Sequence, residues 1–210
     1  MLKNPISKYF FLFLLLSPGL WQIGLHADAA VKEWVTFPGR ISQNIHAKEA
    51  TPFFSYIDEL RWGGRSLHRN DLKSRLLYNK SAALANEAFD FLQFATPKLY
   101  FAVGDGSVFS PARIEPIASL LFPVWLAGIL SLLAQHRYRV FLLLALGLLP
   151  AYLAGSKNMS LLLLAMLVQI YIAAVGFTSI FTKFSSRIVA SAFISVYGLY
   201  IVLMNLWFTR

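Results

Sequence analysis

The chain has 210 residues, of which 57% are hydrophobic and 14% charged, and it contains no cysteine. A typical soluble domain carries about 25% charged residues, so this composition favours a membrane protein. The lack of cysteine excludes disulfides, thiolate metal sites and a cysteine nucleophile within this sequence. The net charge of +9 does not indicate nucleic-acid binding, because the excess bases lie at the ends of apolar runs, where they mark membrane topology.

The acidic residues are confined to one part of the chain. All ten lie between His26 and Pro116, and the sequence on either side is apolar. A charge in the middle of a bilayer costs roughly 2.5–3.5 kcal/mol, so long segments free of Asp and Glu are candidate spans. The sequence therefore predicts an all-α integral membrane protein, with a first span in residues 1–25, a small, mainly helical extracytoplasmic domain in residues 26–116, and a four-helix transmembrane region in residues 117–210.

Five apolar runs are candidate transmembrane helices. They are residues 9–25, 117–134, 140–154, 160–177 and 188–208. A helix rises 1.5 Å per residue and the hydrocarbon core is about 30 Å thick, so about 20 residues are needed for a full crossing. The third run is short and contains Pro150, which predicts a kink. That run either crosses a thinned bilayer or forms a hairpin with the fourth run.

The bases in the short loops predict the orientation. They are Lys3, Lys8, Arg137, Arg139, Lys183 and Arg187. If all five runs cross, these bases fall on one side, which the positive-inside rule makes cytoplasmic. Residues 26–116 and the C-terminus are then outside, in what we expect to be a bacterial cytoplasmic membrane. A second interpretation makes the N-terminus a secretory signal peptide cleaved near Ala27-Asp28-Ala29, which leaves the exposed domain on the same side.

The exposed domain divides into an irregular part and a regular part. Residues 26–80 predict short helices and loops, because Pro38-Gly39, Pro52 and Gly63-Gly64 interrupt them. Residues 80–94 predict an amphipathic helix, whose apolar face consists of Leu84, Ala88, Phe91, Leu92 and Ala95. Aromatic residues follow this helix, so we expect it to lie on the outer membrane surface; packing on the domain's own core is the alternative.

Candidate catalytic residues are few. Asp58 and Glu59 form the one adjacent acidic pair, which can supply a general base or hold a divalent cation. A solvated helix face with local ion pairs is the alternative. Asp105 lies between two glycines, where it either has a functional role or makes an Asx-turn. The histidines of the exposed domain match no metal-binding spacing, so the sequence predicts no metal site.

Basic residues of the same domain are candidates for binding phosphate or lipid. Arg61, Arg65 and Arg69 belong to its densest basic stretch, and guanidinium groups suit phosphate oxygens. Lys157 lies in a short outer loop at the level of the lipid headgroups. The alternative is a solvated basic surface.

The order of features from residue 76 onward resembles a known family. Tyr78-Asn79-Lys80 precedes the amphipathic helix, and residues 95–101, Gly104-Asp105 and residues 121–128 follow it. Over residues 18–177 this order resembles the C-terminal part of the multispanning GT-C-type glycosyltransferases, namely the dolichyl-phosphate-mannose-type family 39 group and its bacterial relatives. The resemblance implies a polyprenyl-phosphate sugar donor at the outer face and a catalytic acid in the first outer loop.

The similar part is the non-catalytic end of that family, and motifs of ATPases, serine hydrolases and zincins are missing. The sequence therefore predicts a structural or accessory subunit of a membrane complex. Its expected partners are membrane lipids and other protein subunits, without nucleic acid. The alternative is a polyprenyl-phosphate-sugar-dependent glycosyltransferase, or a half of one; beyond that donor no cofactor is predicted.

Overall fold

The computed structural model describes residues 5–49, 55–56, 58–59, 62–63, 82–102, 104, 106–183 and 187–208. Within these ranges the regular structure is helical, apart from an isolated β-bridge between Ser107 and Ser110. The predicted all-α class is therefore confirmed for the described residues. The main helices are α1 (Pro5–Leu15), α2 (Pro18–Leu25), α3 (Ala27–Glu49), α4 (Ala82–Gln93), α5 (Pro97–Phe101), α6 (Phe122–Ala134), α7 (Tyr138–Leu153), α8 (Leu163–Lys183) and α9 (Arg187–Phe208).

Helix α8 lies at the centre of the fold and packs against α6, α1, α7 and α9. Met166, Ile170 and Ala173 on α8 are fully buried. Hydrogen bonds from α6 to α8 advance in the same direction along both helices, from Trp125–Gln169 to Ser131–Ser179, so these two helices are parallel.

Helix α1 runs antiparallel to α8. The ring centroids of Phe13 and Phe177 are 5.5 Å apart, whereas Gly19, just beyond α1, approaches Met166 near the other end of α8. The bundle therefore has two distinct ends. The basic end carries the start of α1 with Lys8 and the α6–α7 turn with Arg137 and Arg139, whose side chains are exposed. The opposite end carries α2 to α5 and the loop of residues 155–159.

Glycines bring α6 and α8 into backbone contact. A Cβ atom at Gly128 would overlap the carbonyl of Ile172, and one at Gly176 would overlap the carbonyl of Val124. Small residues that allow such close approach are typical of helix pairs in membranes, where van der Waals packing replaces the hydrophobic effect between helices. The Trp125 indole N–H also donates to Gln169 Oε1 at 2.5 Å inside this contact.

Of the described helices, one is by itself long and apolar enough to cross a membrane. It comprises Leu163–Phe181 in α8, with a mean hydropathy of 2.0. This helix extends past the predicted end at residue 177 because the polar groups there are satisfied inside the bundle: Thr178 Oγ1 donates to the Ala174 carbonyl at 2.5 Å, and Ser179 Oγ lies 2.8 Å from Ser131 Oγ. Helices α6 and α7 have 13 and 16 residues, which correspond to about 20–24 Å.

The first apolar run does not form one straight helix. Helices α1 and α2 are bent by 58° at their junction, and together they qualify as a broken span or a re-entrant loop. The cause is Pro18, which restricts the preceding Ser17 to an extended conformation with φ −89° and ψ 111°. The Trp21 indole donates to the Leu15 carbonyl at 2.7 Å, which satisfies an acceptor at the end of α1.

The start of the polar segment differs from the prediction of short helices and loops. Residues Ala27–Glu49 form one helix of 23 residues that continues through Pro38. Asp28 in the first turn and Lys48 in the last turn complement the helix dipole. Contacts with α2 and α7 also hold the helix at both ends, so tertiary contact overrides the local effect of Pro38-Gly39.

Helix α4 packs on the bundle through only part of the predicted apolar face, since Phe91 and Ala95 of that face pack on the core. The ring of Phe91 contacts that of Tyr152 at 5.4 Å, and Phe94 contacts it at 6.1 Å. Leu84 and Leu92, which the sequence assigns to the same apolar face as Phe91, are instead exposed. The side chains that meet α7 include polar ones, which the hydrophobic pattern alone does not select.

Candidate functional site

The described part of the chain does not assemble the predicted site residues around a cavity. Asp58 and Glu59 are helical and exposed, and Lys157 is exposed in the loop of residues 155–159. Arg61, Arg65, Arg69 and Asp105 lie outside the described residues. Within the described ranges, no group of three His, Asp or Glu side chains could hold a metal ion.

The structure instead brings together three residues from distant parts of the sequence, Lys48, Glu87 and Tyr152, here called the junction cluster. Lys48 Nζ lies 2.5 Å from Glu87 Oε2, and the Tyr152 hydroxyl donates to the same carboxylate oxygen. Lys48 Nζ also lies 4.5 Å from the centroid of the Tyr152 ring, in cation–π geometry. The junction cluster thus joins α3, α4 and α7 at one point.

Asn44 extends this connection by one helical turn on α3. Its side-chain amide donates to the carbonyls of Tyr152 at 3.3 Å and Leu153 at 3.0 Å in the last turn of α7, and the Tyr152 carbonyl also accepts the Gly155 N–H at 3.0 Å. The next turn requires Gly155, whose φ is +61°, and a Cβ there would overlap the Asn44 side chain. The C-terminus of α7 is therefore shaped to receive α3.

Lys48 and Glu87 of the junction cluster are both charged at neutral pH. Burial alone would raise the pKa of Glu87, but hydrogen bonds from Lys48 and Tyr152 outweigh it and hold that pKa below its ordinary value of 4.5. Burial alone would lower the pKa of Lys48, but the same contacts raise it above 10.5. Both side chains remain partly exposed, so the pair fixes geometry more than it adds stability.

A second polar group lies beside the bend between α1 and α2. We call it the elbow cluster; it comprises Ser17, Glu115, Ser119, Tyr197 and Tyr200. Glu115 Oε2 accepts the backbone N–H of Ser119 at 2.6 Å, and Glu115 Oε1 accepts the Tyr200 hydroxyl at 3.1 Å. The elbow cluster therefore ties α9 to the start of the α6 segment.

Two hydroxyl groups of the elbow cluster are buried without a hydrogen-bond partner among the described residues. They belong to Ser17 and Tyr197, both 0% exposed. The ring centroids of Tyr197 and Phe13 are 5.7 Å apart, and Phe13 precedes Ser17 by four residues. The Gly19 amide donates to the Pro116 carbonyl at 2.9 Å, which places Glu115 beside the same bend.

Two adjoining apolar cavities of about 340 and 450 Å³ lie beside this bend. Leu15, Trp21 and Leu25 line both. Gln22 and Ile201 line the smaller one, and neither cavity is lined by a charged residue. Their chemistry suits hydrocarbon and offers no charged contact for a phosphate group.

Comparisons with known proteins add no assignment: no protein-family model, no curated protein and no solved structure matches this chain. The functional class must therefore be inferred from the geometry. Sequence reasoning missed both clusters. Lys48, Glu87 and Tyr152 are too far apart in sequence for any spacing rule to group them. Glu115 did offer a signal, since it is the last acid before an apolar run, where a carboxylate can cap the following helix.

Proposed function

We propose that this chain is an integral membrane protein that serves as a structural or accessory subunit of a membrane complex. The observation that best supports this proposal is the apolar outer surface of the helical bundle. Exposed leucines follow one another along α7, at Leu142, Leu146, Leu149 and Leu153. Soluble monomers rarely expose apolar patches larger than a few hundred Å², so a lipid environment explains this surface.

Contacts within the bundle support the same proposal. The close glycine packing of α6 on α8 and the Trp125–Gln169 hydrogen bond are of the kind that associates helices in lipid. Exposed basic residues gather at one end of the bundle, at Lys8, Arg137 and Arg139, which favours a cytoplasmic location for that end. Residues 26–116 then face the outside.

A subunit role is favoured by the outer face of α9. Val196, Leu199 and Leu203 on this helix are exposed, whereas its inner face is held by the aromatic rings of α1 and α8. The two cavities beside the bend carry no carboxylate and no basic group, so they do not provide the donor site that a glycosyltransferase requires. The exposed apolar face of α9 suits association with another membrane helix.

The proposal is tested by purification in a mild detergent followed by native mass spectrometry. We expect the chain to stay in the membrane fraction after alkaline carbonate washing and to purify with at least one other membrane protein at fixed stoichiometry. Release by carbonate would contradict membrane integration. Purification as a monomer that carries a lipid-linked sugar would contradict the subunit role.

The alternative function, a polyprenyl-phosphate-sugar-dependent glycosyltransferase or a half of one, has a specific test. Such an enzyme needs a carboxylate that deprotonates an acceptor hydroxyl at the outer face. Glu115 lies at that end of the bundle, but Ser119 and Tyr200 already occupy its two oxygens. We expect the combined change Asp58→Asn and Glu59→Gln, and separately Glu115→Gln, to leave cellular lipid-linked sugars unchanged. Accumulation of the donor lipid in either variant would favour the enzyme.

A further inference from the structure

Helix α3 has one stripe that the bundle covers and a second, apolar stripe that the bundle leaves exposed. The stripe that faces the bundle includes Ala30, Phe37 and Asn44, which recur every seven residues and are partly buried. The second stripe includes Val31, Trp34, Val35, Pro38 and Ile45, which follow helical spacing along one flank that the polar Ser42 interrupts. All five are exposed; the exposed fraction reaches 72% at Val35.

The opposite flank of α3 is polar. It includes Lys32, Thr36 and Gln43, all exposed. The helix is therefore apolar on one flank and polar on the other, with the bundle contact between the two. Exposure of such an apolar flank to water is unfavourable. A helix at a membrane surface instead buries the flank at the boundary between headgroups and acyl chains.

The ends of α3 show how the helix lies relative to the bundle. Its N-terminus follows α2, which continues from α1, and its C-terminus is fixed to the end of α7 by Asn44 and Lys48. Helices α1 and α7 pack separately against α8. A helix of 23 residues is about 35 Å long, so α3 runs across the end of the bundle.

Exposed apolar residues also precede α3 along the chain. Trp21 and Leu25 on the preceding α2 are exposed by 58% and 71%, and Trp34 on α3 is exposed by 44%. Tryptophan is enriched at membrane–water boundaries, because the ring is apolar and the indole N–H is polar. From the exposed apolar flank and its tryptophan we infer that α3 is an interfacial helix, whose flank of Val31, Trp34, Val35, Pro38 and Ile45 binds the outer leaflet of the bilayer.

This inference rests on the proposed membrane location, and it differs from the sequence prediction, which assigned the interfacial role to residues 80–94. The lipid contacts are apolar and not phosphate-specific. The ion pair of Arg40 with Glu33, at 2.6 Å, and that of Lys48 with Glu87 use two of the helix's basic residues within the protein. We therefore expect binding that does not depend on anionic lipids.

Spin labels can test the inference without background, because the chain has no cysteine. Single cysteines at Val31, Val35 and Ile45 on the apolar flank and at Lys32 and Gln43 on the polar flank would be labelled in proteoliposomes of zwitterionic phospholipid. We expect the accessibility ratio of oxygen to a water-soluble nickel chelate to be several-fold higher on the apolar flank, with a period of about 3.6 residues along α3.

Two results would overturn the inference. Equal ratios on the two flanks would place α3 in water, and labels at Val31 and Val35 that neither reagent reaches would show that protein covers this flank. A label at the exposed Leu142 of α7 serves as the reference. If Leu142 contacts lipid and Val35 does not, the interfacial helix is wrong while the membrane function stands; if Leu142 does not contact lipid, the proposed membrane function itself fails.

Discussion

At the scale of single residues, removal of the buried Tyr197 hydroxyl should increase stability, whereas most substitutions in a protein core decrease it. This hydroxyl has no hydrogen-bond partner among the described residues. A buried polar group without a partner costs about 1–3 kcal/mol, so its removal should be neutral or stabilising. We expect Tyr197→Phe to raise the thermal unfolding midpoint in detergent, whereas Tyr200→Phe, which removes the bond to Glu115, should lower it. A loss of stability in Tyr197→Phe would show that the hydroxyl has a partner.

The junction cluster predicts a dependence on pH. Since the pKa of Glu87 is lowered on folding, its contribution to the docking of α4 is present above pH 4.5 and is lost as the pH falls through the lowered value. We expect Glu87→Gln to accelerate hydrogen exchange across residues 82–101 at pH 7 by an amount equivalent to roughly 0.2–1 kcal/mol. In the wild type we expect this hydrogen exchange to accelerate as the pH falls through the lowered pKa of Glu87, and the variant should lose that pH dependence.

Glu59→Gln is the matched control, because Glu59 is an exposed acid for which no contact is described. Hydrogen exchange in this control should follow that of the wild type at every pH. An identical pH dependence in Glu87→Gln and the wild type would contradict the role of Glu87 at the junction.

The junction cluster shows the limit of what the sequence predicts. Composition and charge placement are sufficient to predict the helical class, because helix formation depends largely on local sequence, but they do not predict the length of α3 or the end of α8. The partners of Lys48 do not follow from local sequence, since Glu87 and Tyr152 meet it only after three helices have packed. The same reason explains why α4 turns Leu84 outward, although its hydrophobic spacing groups Leu84 with Phe91.

At the scale of helices, the contact of α6 with α8 should be the least tolerant of added volume. Gly128→Ala and Gly176→Ala each place a methyl group against the backbone of the neighbouring helix. We expect either variant to lower the thermal unfolding midpoint, because a rigid carbonyl cannot move aside as a side chain can. The measurement is helix loss by circular dichroism in detergent.

Gly198→Ala on α9 is the control for this substitution, since no atom lies within 4 Å of the position of its Cβ. Alanine has a helix propensity about 1 kcal/mol better than glycine, so this variant should be neutral or more stable. Equal effects at Gly128 and Gly198 would show that helix propensity and not close packing determines the result.

The bend between α1 and α2 shows which element boundaries local sequence can specify. Pro18 disfavours the helical conformation at Ser17, and at this position the chain does break, with Ser17 in an extended conformation. Pro38 in α3 and Pro150 in α7 do not end their helices. Contacts with the bundle hold the chain on both sides of each proline, and a local rule for helix breaking does not include those contacts.

At the scale of the whole molecule, the two ends of the bundle differ in charge and should lie on different sides of the membrane. The basic end carries Lys8, Arg137 and Arg139, whereas the opposite end carries α3 and the loop of residues 155–159. Single cysteines at Gln43, Lys157 and Gln135 are suitable probes, because all three side chains are exposed and the natural chain has no thiol. We expect an impermeant maleimide to label Gln43→Cys and Lys157→Cys in intact cells, and Gln135→Cys only after the membrane is permeabilised. Labelling of Gln135→Cys alone in intact cells would show the opposite orientation. Equal labelling of all three would show that no membrane separates the two ends.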